Sequence, residues 1–274
     1  MSEHLNPQAA QMGDESMLRT LAAQAEAIWP QERPLFTRYG LGARAKIADV
    51  GCGSGEITAR LAAQHLDAEI VGVDILDSVI THARERHRAL APRVSFEQGD
   101  AFALRFADDT FDVVLCRHMT QAVPHPERVL AELKRITKPG GWLHVLSEDY
   151  GMMHMTAGAL DPDRLWHEGA IPFTASGGAD ARVGRRTWSL LRALGIEELR
   201  VDYAVVDTER VPRAVFAAII EAWRDGYADG MAAATSLRGG EARALFDQII
   251  ASIRDPEQYA VWHVPILSGR KPPR

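Results

Sequence analysis

Ile47-Ala-Asp-Val-Gly-Cys-Gly-Ser-Gly55 decides the fold. A short apolar strand runs into glycines at 51, 53 and 55, and a helical pattern starts directly after them. Glycine permits the tight turn and lets the backbone approach a ligand with no Cβ in the way. The free amides and dipole of the helix start then face whatever sits above the strand. A dinucleotide fingerprint, G-x-G-x-x-G, would need a third glycine at position 56, where the chain has Glu56. A carboxylate where a pyrophosphate would sit disfavours a diphosphate, and a less anionic nucleoside fits better.

Outward from this turn, apolar runs and helical periods alternate. Strands are predicted at 46–50, 68–74, 93–98, 111–116 and 142–147, and helices at 15–28, 57–65, 77–90 and 126–137. Strand–helix–strand at this spacing implies parallel pairing through right-handed crossovers. Beyond it, 149–184 is rich in Gly, Met and aromatics with weak periodicity. Helices follow at 185–194, 211–227 and 241–253, with strands at 196–207 and 259–268. The expectation is an α/β fold, a doubly wound, mostly parallel seven-stranded sheet. It forms one domain over 1–274, with a helical cover at 1–44, a cofactor core at 45–148, and lid segments at 149–184 and 211–256.

The 274 residues are 46% hydrophobic and 25% charged, an ordinary globular balance that excludes disorder and fibrous repeats. The net charge of −6 provides no global basic field for nucleic acid or anionic lipid. No apolar run is long enough to span a bilayer, and the first residues lack the basic and apolar regions of a signal peptide. Cys52 and Cys116 are the only cysteines and stand in no metal-ligand spacing. A reduced, cytoplasmic, metal-independent protein is expected, without nucleic-acid or membrane partners.

Two further signals share the carboxyl rim of the sheet. Asp74 ends the second strand about 20 residues after the first glycine, where an acidic side chain accepts ribose hydroxyls. Gly99-Asp100-Ala101-Phe102 ends the third strand and offers a carboxylate beside a ring. Taken singly, Asp74 is equally a helix cap and Asp100 a solvated turn residue. Together with the glycine turn, the three point to a nucleoside site.

The runs DVGCGSG (49–55), VGVD (71–74), EQGDA (97–101), Phe106-Ala-Asp-Asp-Thr-Phe-Asp112 and Leu133-Lys-Arg-Ile-Thr-Lys-Pro-Gly-Gly141, in this order, make the chain resemble class I S-adenosylmethionine-dependent methyltransferases. It looks most like the small-molecule branch that includes ubiquinone and menaquinone C-methyltransferases. The resemblance covers 45–147 and implies S-adenosyl-L-methionine as cofactor. By resemblance, Gly51 and Gly53 face its methionine part with Asp49 beneath. Asp74 holds the ribose, Ile75 packs on the adenine, Asp100 and the Ala101 amide bind the adenine edge, and Phe102 covers it. The backbone at Cys116-Arg117 receives the ammonium, and Tyr39 and Arg44 clamp the carboxylate.

Methyl transfer from a sulfonium is an in-line displacement, so the protein's main task is to hold the acceptor in line. A base matters when the acceptor is a phenol, enol, amide or acidic carbon. His118 follows the fourth strand beside the expected methyl position and is the candidate base or orienting group. The competing reading is a histidine that bonds its own loop. Tyr150, Met153, His154 and Trp166 follow the fifth strand as candidate acceptor contacts, since methionine adapts to apolar ligands and tyrosine adds a polar tip. The implied partner is a small, largely apolar or aromatic methyl acceptor, with the chain as a candidate homodimer. An RNA or protein methyltransferase and a non-catalytic cofactor-binding regulator are the alternatives.

Overall fold

The computed structural model describes residues 15–273, so 1–14 of the expected N-terminal cover lie outside the described residues. Helix α1 (Glu15–Glu32) and a 3₁₀ turn (Arg33–Tyr39) lead into the sheet. There follow β1 (Lys46–Val50), α2 (Glu56–Gln64), β2 (Glu69–Asp74), α3 (Asp77–Arg86), β3 (Val94–Gln98), β4 (Phe111–Arg117), α4 (Pro126–Ile136) and β5 (Thr137–Leu146). The C-terminal half contains β6 (Met153–Met155), a π-helical turn (Leu165–Ala170) running into α5 (Ile171–Ser176), α6 (Gly184–Ala193), β7 (Glu197–Asp207), α7 (Arg213–Ala234), α8 (Glu241–Arg254) and β8 (Ala260–Arg270).

The strand order is β3-β2-β1-β4-β5-β8-β6, with β7 on the other edge of β8. The first five strands pair in parallel, and β8 runs antiparallel to β5, β6 and β7. The doubly wound α/β reading holds, with eight strands in place of seven. The additional one, β6, is a three-residue strand that continues the β5 edge along β8.

Strand alternation divides the core in two. On one face Ile47, Val113, Leu115 and Trp142 pack against Trp29, Leu61 and Ile80 from α1, α2 and α3. On the other, Ala48, Val114, Cys116 and Val145 meet Val129, Leu130 and Leu133 of α4. A third cluster joins α1, α7 and α8 over Trp262, Val264 and Ile266 of β8.

Gly226 and Gly184 are two of several glycines in close approach in the C-terminal half. Gly226 lies inside α7, which extends past the predicted end at 227, and a Cβ there would sit 2.9 Å from Ser16 Oγ on α1. Gly184 opens α6, and its N–H donates to the Glu148 carbonyl at 2.9 Å. A Cβ on Gly184 would lie 2.7 Å from the Ser147 carbonyl oxygen and 2.9 Å from that of Glu148.

Candidate functional site

The carboxyl ends of β1, β2, β3 and β4 surround a cavity of about 760 Å³, mouth included. Gly51 and Gly53 form its floor with φ of 77° and 53°, a conformation that favours glycine. Their faces are closely covered. A Cβ would come 3.0 Å from Met119 Sδ at Gly51 and 2.6 Å from Leu21 Cδ1 of α1 at Gly53.

Asp74 stands on the wall of this cavity. Its Oδ2 accepts the Gly53 N–H at 3.0 Å and its Oδ1 the Leu76 N–H at 3.2 Å. Burial pushes its carboxyl above the ordinary value, and the remaining lone pairs are free for hydroxyl donors. Asp100 accepts the Phe102 N–H at 2.9 Å, and Ile75, Ala101 and Phe102 complete that end. The Arg128 guanidinium lies 5.3 Å over the Phe102 ring.

A second hollow, about 340 Å³, shares Leu21, Gly51, Arg117 and His118 with the first and reaches Asp49. Thr58 Oγ1 donates to Asp49 Oδ2 at 2.6 Å, and burial pushes the Asp49 carboxyl up to about 6. Arg117 is buried, and its Nε donates to Glu32 Oε1 at 2.8 Å. The same oxygen accepts His144 Nε2 at 2.9 Å, which leaves His144 Nδ1 to accept the Tyr39 hydroxyl at 2.6 Å. Burial alone would raise the Glu32 carboxyl, but the Arg117 charge and the His144 bond overcome it and hold it at about 2. Arg117 Nη2 is buried with no protein partner, a donor left over on the wall of both hollows.

His118 stands between these hollows with φ of 52°, its N–H bonded to the Leu146 carbonyl at 3.1 Å. Its ring Nδ1 is hydrogen-bonded to Glu148 Oε1, and Gln24 Nε2 approaches the same oxygen at 3.4 Å. With Nδ1–H donating to a carboxylate, Nε2 carries the free lone pair, and that atom is buried without a partner. The ring bonds Glu148 on the segment after β5 rather than its own loop.

Beyond Glu148 lies a third hollow, about 360 Å³ with its open mouth included, lined by Tyr150, Trp166, Phe173, Trp223 and Tyr227 among others. The Tyr150 ring stacks on Trp166 with centroids 6.0 Å apart, and Trp223 meets Tyr150 edge-on at 5.4 Å. Trp262 joins this group to His118, with centroids 5.4 Å from Trp223 and 6.2 Å from His118. Burial, with the Glu148 charge, pushes the Tyr150 and Tyr227 phenols up.

Residues 48–145 match the family model described as a methyltransferase domain. Over this stretch, about a third of the chain, the sequence resembles a methyltransferase domain. Among curated proteins, the phthiotriol/phenolphthiotriol dimycocerosates methyltransferase of Mycobacterium tuberculosis is 36% identical over 106 residues, which is 39% of this chain and 38% of that protein. The chain spans less than half the length of the curated relatives it matches. Among solved structures, the Haemonchus contortus phosphoethanolamine N-methyltransferase 2 in complex with S-adenosyl-L-methionine superposes with a TM-score of 0.60 at 17% identity, covering 96% of this chain and 60% of that one. The [4+2]-cyclase SpnF superposes at 0.58 with 22% identity, covering 89% of this chain and 82% of that one. At these identities the two superpositions speak for the fold.

The matched region brings together Asp49, Gly51, Gly53, Asp74, Ile75, Asp100, Ala101, Phe102, Arg117 and His118 around two joined hollows. Four of the residues singled out from sequence lie elsewhere. Tyr39 is buried with its ring 5.0 Å from Trp142, and Arg44 is exposed in the turn before β1. Both border a groove at the amino edge of the sheet, opposite the glycine turn, because chain that enters a parallel strand does so at that edge. The buried guanidinium beside the cavity is that of Arg117. Met153 is sealed in the core at 1% exposure, and the next residue, His154, faces solvent on a short edge strand. Cys116, expected to act through its backbone, keeps its side chain in the core toward α4. Sequence reasoning missed Glu148, Gln24, Leu21 and Met119. Of these, only Glu148 left a usable trace, a carboxylate directly after the fifth strand on the ligand-binding edge.

Among the described residues, no group of three or more His, Cys, Asp or Glu is placed to hold a metal ion. No described helix is long and apolar enough to cross a membrane.

Proposed function

We propose that this protein transfers a methyl group from S-adenosyl-L-methionine to a small, largely apolar or aromatic acceptor, with His118 as the base. The observation that carries the reading is the buried, unpartnered Nε2 of His118, backed by Glu148, where the two joined hollows approach the ring-lined one.

The residues present fit the cofactor. Asp74 would take the ribose hydroxyls, Asp100 and the Ala101 amide the adenine edge, and Ile75 and Phe102 its faces. The unused Nη2 of Arg117 would meet the methionine carboxylate, with Asp49 below the amino group. Bound there, the cofactor supplies an activated methyl group on a sulfonium.

Glu148 holds the Nδ1–H of His118 and so fixes the tautomer that leaves Nε2 basic. His118 Nε2 takes the acceptor's proton, and Glu148 steadies the imidazolium that results. Segments 149–184 and 211–256 cover the acceptor side and exclude water. The acidic composition favours a metabolite over RNA, and the phthiotriol methyltransferase among the relatives points the same way. The test is incubation of the full chain with methyl-labelled S-adenosylmethionine and a cell extract. Label is expected in a small organic product, and label confined to RNA or protein would overturn the reading.

A further inference from the structure

The ring-lined hollow behind Glu148 has a composition that an ordinary apolar pocket does not need. Tyr150 and Trp166 lie nearly parallel, stacked on each other at 22°, but the other ring pairs meet at steep angles. Trp223 stands at 73° to Tyr150 and 85° to Trp166, and Phe173 at 65° to Tyr227. A flat ligand is held best between two parallel faces, as in a slot. Walls at steep angles make a box, which suits a rounded group. Each ring face presents negative charge density from its quadrupole, so a box of such faces attracts a cation that has no hydrogen bonds to lose.

The charges around the hollow point the same way. Among the described residues, neither Lys nor Arg lines it. The carboxylate felt by both of its tyrosines, Tyr150 and Tyr227, is Glu148. Arg185, which lies close to the Gly151 backbone, is held by Asp149, with Nε to Oδ2 at 2.6 Å. The hollow is therefore electron-rich and lacks a positive wall that would repel a cation or welcome an anion.

We propose that this hollow is a cage for an alkylammonium group carried by the methyl acceptor. The inference rests on the methyltransferase reading for its choice of the acceptor side and narrows the substrate class to compounds with a tertiary or quaternary amine. Trp166 and Trp223 form two walls, Tyr150 and Tyr227 others, and Glu148 supplies the counter-charge from the His118 side.

The experiment compares a cation with its uncharged twin. Choline and 3,3-dimethylbutan-1-ol have the same shape and differ in one charge. Each is titrated into the full chain saturated with S-adenosylhomocysteine, followed by tryptophan fluorescence and calorimetry. Choline is expected to bind about tenfold more tightly than the carbon analogue. Trp223→Leu should abolish that preference while S-adenosylhomocysteine affinity stays as in the wild type. Should Trp223→Leu fail to fold, Tyr227→Leu, at a half-buried position, carries the same test. Equal or tighter binding of the neutral analogue, or no detectable choline binding, overturns the cage. Loss of the cage alone leaves S-adenosylhomocysteine binding intact, whereas absence of that binding in the wild type defeats the methyltransferase reading itself.

Discussion

The proposed cofactor and acceptor sides of the cleft are built by different means. At the cofactor side the backbone does much of the work. Gly51 and Gly53 bring the chain itself to the ligand surface, Asp74 is tied to the amides of Gly53 and Leu76, and Asp100 to that of Phe102. Every one of these residues ends a strand or starts the following turn. The proposed acceptor side is made of side chains from β5's exit, the π-helical turn, α5, α7 and α8, which meet only because the chain folds back on itself. A ligand common to many proteins can be held by a fixed backbone cradle. A ligand particular to one protein needs a surface whose chemistry can vary without disturbing the sheet.

The sharpest way to break this contrast is at the residue where the two sides meet. His118→Ala should lower turnover about 10²–10⁴-fold in a labelled-methyl assay, with S-adenosylhomocysteine affinity nearly unchanged. His118→Gln should recover part of the loss if orientation rather than proton removal is the main task. A variant that lost both affinity and turnover together would place His118 on the cofactor side alone.

Glu32 sets the next largest effect. It belongs to α1, yet it binds Arg117 of β4 and His144 of β5, so it joins the N-terminal helix to the cofactor cradle. Glu32→Ala should cost about 3–5 kcal/mol in denaturant unfolding, because it strands the buried Arg117 charge. In the wild type the Glu32 carboxyl sits at about 2, below its ordinary 4.5. Its contribution is therefore complete above pH 4.5 and is lost as the pH falls through about 2. A stability curve flat over that acid range would remove the pair from the account.

Asp49 works in the opposite direction. Burial raises its carboxyl from 3.8 to about 6, so the stability associated with its neutral form is full below 3.8 and disappears as the pH rises through 6. Asp49→Asn should raise thermal stability above pH 6, by up to about 3 kcal/mol, and leave it unchanged near pH 4. Equal melting of the two proteins at pH 8 would refute the assignment. The smallest expected change sharpens the picture of the cofactor side. Arg117→Lys keeps a cation beside Glu32 but cannot reach two partners at once. It should weaken S-adenosylhomocysteine by about tenfold in calorimetry and leave methylthioadenosine, which lacks the carboxylate, unaffected.

The same contrast explains what could be read in the amino-acid order. The placement of Asp74 and Asp100 on the cavity wall was legible because a strand end and its turn are local, and each bonds within its own turn or the neighbouring one. His118 was legible for the same reason. Its partner Glu148 lies 30 residues on, at the end of the neighbouring strand, and the pairing depends on β4 and β5 lying side by side. Tyr39 and Arg44 failed on direction. They precede β1 closely, and closeness to the glycine turn along the chain is not closeness across a strand whose two ends lie on opposite edges of the sheet. Met153 and His154 failed on alternation, since one of two neighbours on a strand must turn away. The aromatic box was visible only as a composition, because no periodicity says which of Trp166, Phe173, Trp223 and Tyr227 share a wall.

The tight seat of Gly184 has a consequence for inheritance. Two carbonyl oxygens, those of Ser147 and Glu148, leave no room for a methyl group at this position, and both belong to backbone that cannot swing aside as a side chain can. Any mutation of that codon to a larger residue would push on the chain that presents Glu148 to His118. A lineage descended from this sequence would thus pay for a change at Gly184 in chemistry rather than in folding alone. Selection on turnover would hold this glycine fixed on a helix that touches no reactant, while exposed neighbours such as Arg182 and Trp188 remain free to drift.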